Sequence, residues 1–272
     1  MTFGAKLAAA AARHGSWLCI GLDPEPGRLP AVLRGEADPV ARFCREIIAA
    51  TADVVCAFKP NSGFFEAQGT DGMQRLAGVI AAVPAGVPVI LDAKRGDIGS
   101  TAEAYARAAF DVLGADAVTL SPYLGGDALA PFLARRDRGC FILCRTSNPG
   151  GAEVQQLRLE DGRPLYLEIA RRAAYEWNAA GNVGLVVGAT FPAEAAAVRA
   201  LCPAVPLLVP GIGAQGGDLA AAVRATRDAS GGGALVNVSR SILYAGAGAD
   251  FADAARREAL RLRAAIAAAA RD

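Results

Sequence analysis

The sequence predicts a (β/α)8 barrel in which residues 1–272 form one domain. Three observations lead to this fold class. The length of 272 residues is normal for one barrel of this kind, and 53% hydrophobic with 20% charged residues can supply a large core. Eight short apolar runs alternate with Ala-rich stretches that can form helices. Such near-continuous apolar runs are typical of parallel strands buried on both faces.

The eight predicted strands lie at residues 17–22, 54–58, 87–91, 117–120, 140–143, 184–187, 205–209 and 234–238. Helical segments follow them, for example at residues 101–113 and 192–201. An open doubly wound sheet is the alternative, but no G-x-G-x-x-G follows the first strand. No linker, repeat or charge run divides the chain. The longest irregular stretch, residues 148–164, is predicted to be a functional loop.

The amino-terminal segment MTFGAKLAAAAARHG predicts an amphipathic helix, because Lys6 and Arg13 interrupt its apolar residues. No uninterrupted apolar stretch is long enough to span a membrane. A net charge of +1 gives no electrostatic reason to expect nucleic acid or an anionic membrane as a partner. The six cysteines include no C-x-x-C pair and are interpreted as buried thiols in a reducing cytosol. We therefore expect a cytoplasmic protein.

The first two strands end in polar residues. The first ends at Gly21-Leu-Asp23 and the second at Phe58-Lys59-Pro-Asn61. Asp23 alone is equally compatible with a turn or helix cap. Only three of the 28 basic residues are lysine, and Lys59 and Lys94 both follow apolar strands. Because lysine is compact and can lose a proton whereas arginine cannot, lysines retained in an Arg-rich chain suggest proton chemistry.

The third strand carries the most informative segment, ILDAKRGDIGSTAE at residues 90–103. Alternation along a strand places Asp92 and Lys94 on one face at the carboxyl end, where barrel enzymes hold their chemistry. Arg95 and Gly96 should form a turn, with Asp97 on the loop beyond it. Ser100-Thr-Ala-Glu103 has capping-box spacing, which predicts a helix start there. A surface ion-pair cluster is the alternative, and the apolar flanking strand disfavours it.

The last two strands predict a phosphate site. Residues 210–217, PGIGAQGG, follow the seventh strand, and VSRS at 238–241 follows the eighth. Glycines let backbone N–H groups approach phosphate, barrels often bind phosphate after these strands, and Arg240 can add a bidentate contact. The only histidine, His14, lies in the first helix, and no Ser-His-Asp set, H-E-x-x-H or Walker motif occurs. A site with lysines and aspartates but no histidine suggests a reaction in which charge develops on a carbon atom of the substrate.

With these residues identified, the chain resembles the orotidine 5′-phosphate decarboxylase family, in the longer form found in many bacteria. The resemblance spans nearly the whole chain. It rests on the Asp-x-Lys-x-x-Asp signature within LDAKRGDIGST and on FKPNSGFFEAQG, RTSNPGG and VPGIGAQGG. One departure is Ser239, where many relatives have glycine before the phosphate-binding arginine. A serine N–H can still donate, so we interpret Ser239 as variation within the family.

The resemblance implies decarboxylation of orotidine 5′-monophosphate (OMP) to UMP and CO2, the last step of de novo UMP synthesis. It implies no cofactor and no metal, and a homodimer with shared active sites. The catalytic residues it implies are Lys59, Asp92, Lys94 and Asp97, with Asp97 supplied by the partner subunit. The substrate-binding residues it implies are Asp23, Thr101 of the partner subunit, Ser147, Pro210, Gln215, Ser239 and Arg240. Of these, Asp23 and Thr101 would contact the ribose together with Lys59, Ser147 the pyrimidine, and Gln215 and Arg240 the phosphate.

Loss of CO2 from C6 of OMP would leave a carbanion without a conjugated electron sink, so the barrier must fall through electrostatics fixed in advance. The Lys94 ammonium could stabilise that carbanion and protonate it. Two alternatives remain. A Mg2+-dependent relative with the same signature, such as 3-keto-L-gulonate 6-phosphate decarboxylase or hexulose-phosphate synthase, is disfavoured by the Ile98–Thr101 continuation and the Ser147 segment. A non-catalytic phosphate-binding module is disfavoured by the retention of all four charges.

Overall fold

The eight strands form one parallel sheet in the computed structural model, which describes residues 1–213 and 216–271. Neighbouring strands are hydrogen-bonded in the order β2-β1-β8-β7-β6-β5-β4-β3. All eight predicted strands are therefore present, with bounds shifted by up to a few residues. The strands are β1 Leu18–Leu22, β2 Ala57–Pro60, β3 Ile90–Arg95, β4 Ala117–Leu120, β5 Gly139–Arg145, β6 Val183–Val187, β7 Leu207–Val209 and β8 Ala234–Val238.

The sheet closes on itself between β2 and β3. Parallel bridges pair Phe58 with Val89 and Asn61 with Asp92. The Phe58 N–H also donates to the Pro88 carbonyl oxygen at 3.0 Å. These contacts join the two ends of the strand order, so the predicted (β/α)8 barrel is confirmed.

One helix precedes the first strand, and the other helices lie in the segments that follow the strands. In chain order the helices are α1 Phe3–His14, α2 Pro39–Thr51, α3 Ser62–Glu66, α4 Thr70–Ala81, α5 Gly99–Arg107, α6 Gly126–Leu133, α7 Ala152–Gln155, α8 Leu165–Tyr175, α9 Pro192–Leu201, α10 Leu219–Thr226, α11 Arg240–Leu243 and α12 Phe251–Arg271. The predicted helix at 192–201 is thus α9. The predicted loop at 148–164 is largely irregular, but it also contains a 3-10 turn at Pro149–Gly151 and the single-turn helix α7.

The predicted capping box at the start of α5 is wrong. The helix begins at Gly99, and the N-cap is Ile98 in an extended conformation, whose apolar side chain makes no capping hydrogen bond. Asp97 instead accepts a hydrogen bond from the Ile98 N–H at 2.8 Å. The N-cap is therefore two residues earlier than the predicted Ser100, and Ser100 falls inside the helix. The helix continues beyond Arg107 as a π-helical turn, Ala108–Val112.

The amino-terminal helix α1 closes the bottom of the barrel, and its predicted amphipathic character is confirmed. Phe3 is buried and meets Phe141 of β5 edge-on, with ring centroids 5.7 Å apart. Lys6, on the same helix, forms an ion pair with Asp116 at 2.8 Å. All six cysteines are buried free thiols, as predicted. Within residues 1–213 and 216–271, none of the helices combines the length and apolar character needed to cross a membrane.

Alternation along the strands divides the barrel interior into two layers. The lower layer is apolar and packs around Phe3 and Leu7; its members include Cys19, Ala57, Ile90, Ala117, Phe141 and Leu235. Two residues further along five of those strands, the next inward positions line a cavity: Lys59, Asp92, Thr119, Leu143 and Asn237. Because side chains alternate between the two faces of a strand, the inward positions nearest the carboxyl ends carry these mostly polar groups, and the inward positions two residues earlier are apolar.

Candidate active site

A cavity of about 430 Å3 opens at the carboxyl ends of the strands. Residues from β1, β2, β3, β5, β7 and β8 or their following loops converge there, as the sequence predicted. The predicted site residues that line it are Asp23, Lys59, Asp92, Lys94, Ser147, Pro210, Ser239 and Arg240. Gln215, predicted to hold phosphate, lies outside the described residues.

A chain of alternating charges runs along one wall of the cavity. The Lys59 ammonium lies 2.7 Å from Asp92 Oδ2, and the Lys94 ammonium lies 2.6 Å from Asp92 Oδ1. The Lys59 and Asp92 side chains are 4% and 10% exposed, whereas that of Lys94 is 49% exposed. The Asp92 carboxylate thus lies between two ammonium groups, of which that of Lys59 is buried and that of Lys94 faces the opening of the cavity.

The charged state of this chain is maintained by mutual stabilisation. Burial alone would raise the pKa of Asp92, but the Lys59 and Lys94 ammonium groups hold that pKa well below its usual range. Burial alone would lower the pKa of Lys59, yet the nearby carboxylates of Asp92 and Asp23 raise it above its ordinary value. Lys59 and Asp92 therefore remain ionised at neutral pH although both are removed from solvent.

Thr119 on β4 is a buried member of this cluster that sequence reasoning missed. Its hydroxyl donates to Asp92 Oδ1 at 2.9 Å. It also accepts from the backbone N–H groups of Ala93 and Lys94 at 3.0 and 2.9 Å. A lone threonine in the apolar run AVTL carries no spacing signal, so only the three-dimensional register between β3 and β4 reveals it.

Three buried polar atoms at the β1 and β8 side of the cavity have no hydrogen-bond partner among residues 1–213 and 216–271: Asp23 Oδ1, Asn237 Oδ1 and Ser239 Oγ. Leaving such groups unpaired costs free energy, and all three residues line the cavity. A polar ligand in the cavity can satisfy them. Asn237 was also missed by sequence reasoning, because it is a single polar residue inside β8.

The serine that departs from the family pattern is accommodated by a glycine on β1. A Cβ built on Gly21 would lie only 2.8 Å from Ser239 Cβ and 3.2 Å from Asp23 Oδ2. The absence of a side chain at residue 21 therefore leaves the space that the Ser239 side chain occupies. The serine stays at the cavity wall, next to the Arg240 that the sequence assigned to phosphate.

Several glycines of the segment after β7 have backbone angles that other residues rarely adopt, and Gly211 lines the cavity. Gly211, Gly213 and Gly216 adopt positive φ angles of 102°, 75° and 82°. The Gly217 N–H donates to the Gly211 carbonyl oxygen at 3.1 Å. These conformations require glycine and let the main chain come close to a ligand. Arg240, just after the neighbouring strand β8, is exposed and also lines the cavity.

The buried Arg145 contacts the loop that carries Ser147. Arg145 is fully buried, pairs with Glu194 and lies 3.8 Å above the centre of the Phe191 ring. It donates to the Thr146 carbonyl oxygen at 2.8 Å. Thr190 donates to the Ser147 carbonyl oxygen at 3.0 Å. Ser147 is therefore presented to the cavity by contacts from β5, β6 and α9.

Two predicted site residues do not reach the cavity of their own chain. Asp97 lies on the loop after β3 and Thr101 is exposed on α5; neither lines the cavity. Asp97 forms no ion pair with any residue that the structure describes. Ile98, next to Asp97 in the chain, is 61% exposed, and Tyr123, on the loop after the adjacent strand β4, is 85% exposed.

A family model described as "Orotidine 5'-phosphate decarboxylase / HUMPS family" matches residues 16–256. The chain belongs to this family. It is 61% identical to the orotidine 5′-phosphate decarboxylase of Roseiflexus sp. (strain RS-1) over 269 residues, which are 99% of this chain and 98% of that protein. It is 59% identical to the protein of the same name from Roseiflexus castenholzii over 271 residues, 100% of this chain and 99% of that one.

A solved structure of Leishmania donovani OMP decarboxylase is also similar to this chain. It superposes with a TM-score of 0.85 at 46% identity, over 98% of this chain and 99% of that one. Membership in the orotidine 5′-phosphate decarboxylase / HUMPS family thus agrees with the resemblance drawn from the sequence motifs. The cavity with its Lys59–Asp92–Lys94 chain lies within the matched residues.

Proposed function

We propose that this protein decarboxylates OMP to UMP and CO2, the last step of de novo UMP synthesis, and that Lys94 protonates the product carbanion. One observation carries the proposal: a cavity at the mouth of the barrel is lined both by the Lys59–Asp92–Lys94 charge chain and by Gly211 and the exposed Arg240. Membership in the orotidine 5′-phosphate decarboxylase / HUMPS family supports the same reaction.

The dimensions and polarity of the cavity fit a nucleotide with its phosphate at the β7–β8 rim. Arg240, the backbone of the Pro210–Gly211 turn and Ser239 are proposed to hold the phosphate and its linkage. Gln215 is assigned to the phosphate by the family resemblance alone. Asp23 and Lys59 are proposed to contact the ribose, which would satisfy the unpaired Asp23 Oδ1. Ser147 would hydrogen-bond the pyrimidine.

The reaction follows from charge placed before the substrate arrives. When the C6–carboxylate bond breaks, the electron pair stays on C6, and an ammonium held next to that carbon stabilises it. Lys94 is suited to this role, because its ammonium faces the opening of the cavity while Asp92 orients it from 2.6 Å. The same ammonium then transfers a proton to C6. The proposed chemistry uses residues of the protein alone, with no cofactor and no metal.

We further propose that the active enzyme is a homodimer with shared sites, in which Asp97 and Thr101 of each subunit complete the cavity of its partner. Both residues lie outside the cavity of their own chain. They sit on a face where Ile98, Tyr123 and Leu124 are exposed, and burial of these apolar side chains would favour association.

The whole chain is proposed to act as one barrel domain in the cytoplasm. Six free, buried thiols fit a reducing compartment. A near-neutral net charge of +1 offers no general attraction to nucleic acid or anionic membranes, so the proposed partners are the nucleotide and a second copy of the chain.

The direct test is to mix purified protein with OMP and follow formation of UMP, with Lys94→Ala as the inactive control. Activity should survive exhaustive treatment with EDTA. Activity that disappears with EDTA and returns with Mg2+ would instead favour the metal-dependent sugar-phosphate reactions considered above. No UMP formation by the untreated protein would overturn the proposed function.

A further inference from the structure

We propose that the Thr119 hydroxyl is the positioning group that fixes Lys94 in its working conformation, so that it governs the rate of the chemical step while contributing little to nucleotide affinity. This inference rests on the proposed function and deepens it, because it assigns a role to a residue that neither the sequence motifs nor the charge chain identified. Thr119 is 1% exposed and lies on β4 beside the bend of β3.

The hydroxyl of Thr119 uses its full hydrogen-bonding capacity on the Asp92–Lys94 segment. A hydroxyl has one donor and two acceptor positions. Its proton goes to Asp92 Oδ1 at 2.9 Å. Its oxygen accepts from the Ala93 and Lys94 N–H groups at 3.0 and 2.9 Å. One side-chain atom thus joins the main chain of Lys94 to the carboxylate that binds the ammonium of Lys94.

The main chain at Lys94 needs such support. Lys94 has a φ of 47°, and no other non-glycine residue in residues 1–213 and 216–271 has a positive φ. Side chains other than glycine rarely adopt this left-handed conformation, which persists only where the surrounding structure enforces it. The pairing of β3 with β4 shifts register between Leu91 and Arg95, so the strand ladder gives no regular support at Lys94.

The bend determines where the ammonium goes. A bulge re-aims the side chain of the strand that carries it. At Lys94 it returns the ammonium to Asp92 Oδ1 at 2.6 Å, while the side chain remains 49% exposed. Little packing therefore restrains Lys94, and its position depends on its backbone angle and on Asp92. Thr119 controls both.

Lys59 should be affected less. It binds the other carboxylate oxygen, Asp92 Oδ2, at 2.7 Å and is itself buried. The groups proposed for phosphate binding lie on β7 and β8, away from β4. Loss of the Thr119 hydroxyl should therefore reduce turnover and leave the binding of UMP nearly unchanged.

The test compares Thr119→Val, which has nearly the same shape but no hydroxyl, with Thr119→Ser, which keeps the hydroxyl. Displacement of a reacting group by about 1 Å can cost about 100-fold, so we expect kcat of Thr119→Val to fall by about that factor. The dissociation constant for UMP, measured by calorimetry, should stay close to that of the wild type. Thr119→Ser should recover most of the turnover.

Thr51→Val is the matched control. Thr51 is also fully buried, and its hydroxyl donates to the Ile47 carbonyl oxygen of α2 at 2.6 Å, outside the cavity. It reports what removal of a buried threonine hydroxyl does to folding alone, and its kcat should remain that of the wild type. If Thr119→Val does not fold, Thr119→Ala removes the same hydroxyl without a methyl group that could clash.

Two results from kinetics and binding would overturn the proposal: wild-type kcat in the variants that lack the hydroxyl, or a loss of UMP affinity that accounts for the loss of activity. A crystal structure of Thr119→Val provides a readout independent of the reaction. Lys94 should leave the left-handed region in that structure, and an unchanged φ with an intact Lys94–Asp92 contact would also overturn it. Inactivity of the wild type toward OMP would count against the proposed function alone.

Discussion

Asp92 is the residue on which the interactions of the site converge. Its two carboxylate oxygens accept hydrogen bonds from Lys59, Lys94 and Thr119. An isolated buried carboxylate would become neutral, but two ammonium groups keep this one ionised and hold its pKa well below the ordinary range. The same contacts that orient Lys94 therefore also stabilise the folded protein, and this stabilisation should depend on pH.

Asp92→Asn should reduce stability at pH 6 and should lose its effect in acid. At pH 6 the variant leaves Lys59 buried without an opposite charge, which costs on the order of 3 kcal/mol. The pKa of Asp92 is lowered on folding from 3.8. Its contribution is therefore fully present above pH 3.8 and declines as pH falls through the folded-state pKa below that value. Urea unfolding at pH 6 and at successively lower pH should show the two proteins converging.

Asp53→Asn is the control for that comparison. Asp53 also pairs with an arginine, Arg256, but its side chain is 63% exposed. Solvent weakens such a pair, so its removal should change stability much less than Asp92→Asn does at pH 6. If both variants lost the same free energy of unfolding at pH 6, burial of the Asp92 ion pairs would add nothing to their effect on stability.

Lys94→Arg should nearly abolish turnover while UMP still binds. Arginine keeps the positive charge, but it does not readily release a proton and its planar group is larger than an ammonium. Lys6→Arg serves as the control, because Lys6 forms a comparable ion pair with Asp116 at the bottom of the barrel. Steady-state rates with OMP and titration with UMP measure the two effects. Substantial turnover by Lys94→Arg would exclude Lys94 as the proton donor.

Among the elements, the strands were the most predictable part of the fold. Their apolar runs are long enough to be recognised, because a barrel strand is buried by helices outside and by side chains inside. Some bounds shifted along the chain: the run at 54–58 begins three residues before β2 at Ala57–Pro60, and the run at 87–91 begins three residues before β3 at Ile90–Arg95. The apolar residues just before β2 and β3 are already buried, although they are not yet part of these strands, and the apolar runs therefore begin earlier than the strands.

The cavity lining was predictable where charged residues lie close together at the end of one strand, as Asp92 and Lys94 do. It was not predictable where a single residue acts through register. Thr119 and Asn237 reach the cavity only because β4 and β8 stand next to β3 and β1 at matching heights. Arg145 was missed for a similar reason: its partner Glu194 lies 49 residues away in sequence.

The proposed phosphate site at the ends of β7 and β8 predicts that the enzyme prefers the nucleotide OMP to its nucleoside, orotidine. Arg240→Ala should lower kcat/KM for OMP by about 10- to 100-fold, the loss of a charged hydrogen bond worth about 1.5–3 kcal/mol. Activity toward orotidine, which lacks the phosphate, should change far less. Parallel kinetics with both substrates provide the measurement.

Arg224→Ala controls for the loss of an exposed positive charge, because Arg224 lies on α10 outside the cavity. It should leave both substrates unaffected. If Arg240→Ala weakened OMP and orotidine equally, Arg240 would have to be removed from the proposed phosphate site.

At the scale of the whole molecule, closure of the barrel brings β1, β2 and β3 round to β8 and β7, so that the charge chain and the proposed phosphate site share one cavity. The cavity still lacks two of the residues that the sequence assigned to it, since Asp97 and Thr101 do not line it. A second subunit is the proposed source of both. The predicted Arg95–Gly96 turn is not formed, because Arg95 is the last residue of β3; Asp97 follows shortly after that strand and is next to the exposed Ile98.

The shared-site dimer predicts that two inactive variants restore activity when combined. Lys94→Ala and Asp97→Ala should each be nearly inactive alone. In a mixed dimer, one site would carry both lesions and the other neither, because each site takes Lys94 from one chain and Asp97 from the other. With random pairing of equal amounts, half the dimers are mixed and half their sites are intact, so roughly a quarter of wild-type activity should return after joint unfolding and refolding.

The control pairs Lys94→Ala with Lys59→Ala. Lys59 and Lys94 bind the same Asp92 carboxylate within one chain, so every site in that mixed dimer keeps one lesion and no activity should return. Formation of mixed dimers is checked by placing different affinity tags on the two variants. If tagged mixed dimers of Lys94→Ala with Asp97→Ala form and remain inactive, Asp97 acts within its own chain or has no part in the site, while the reaction proposed for the cavity is unaffected.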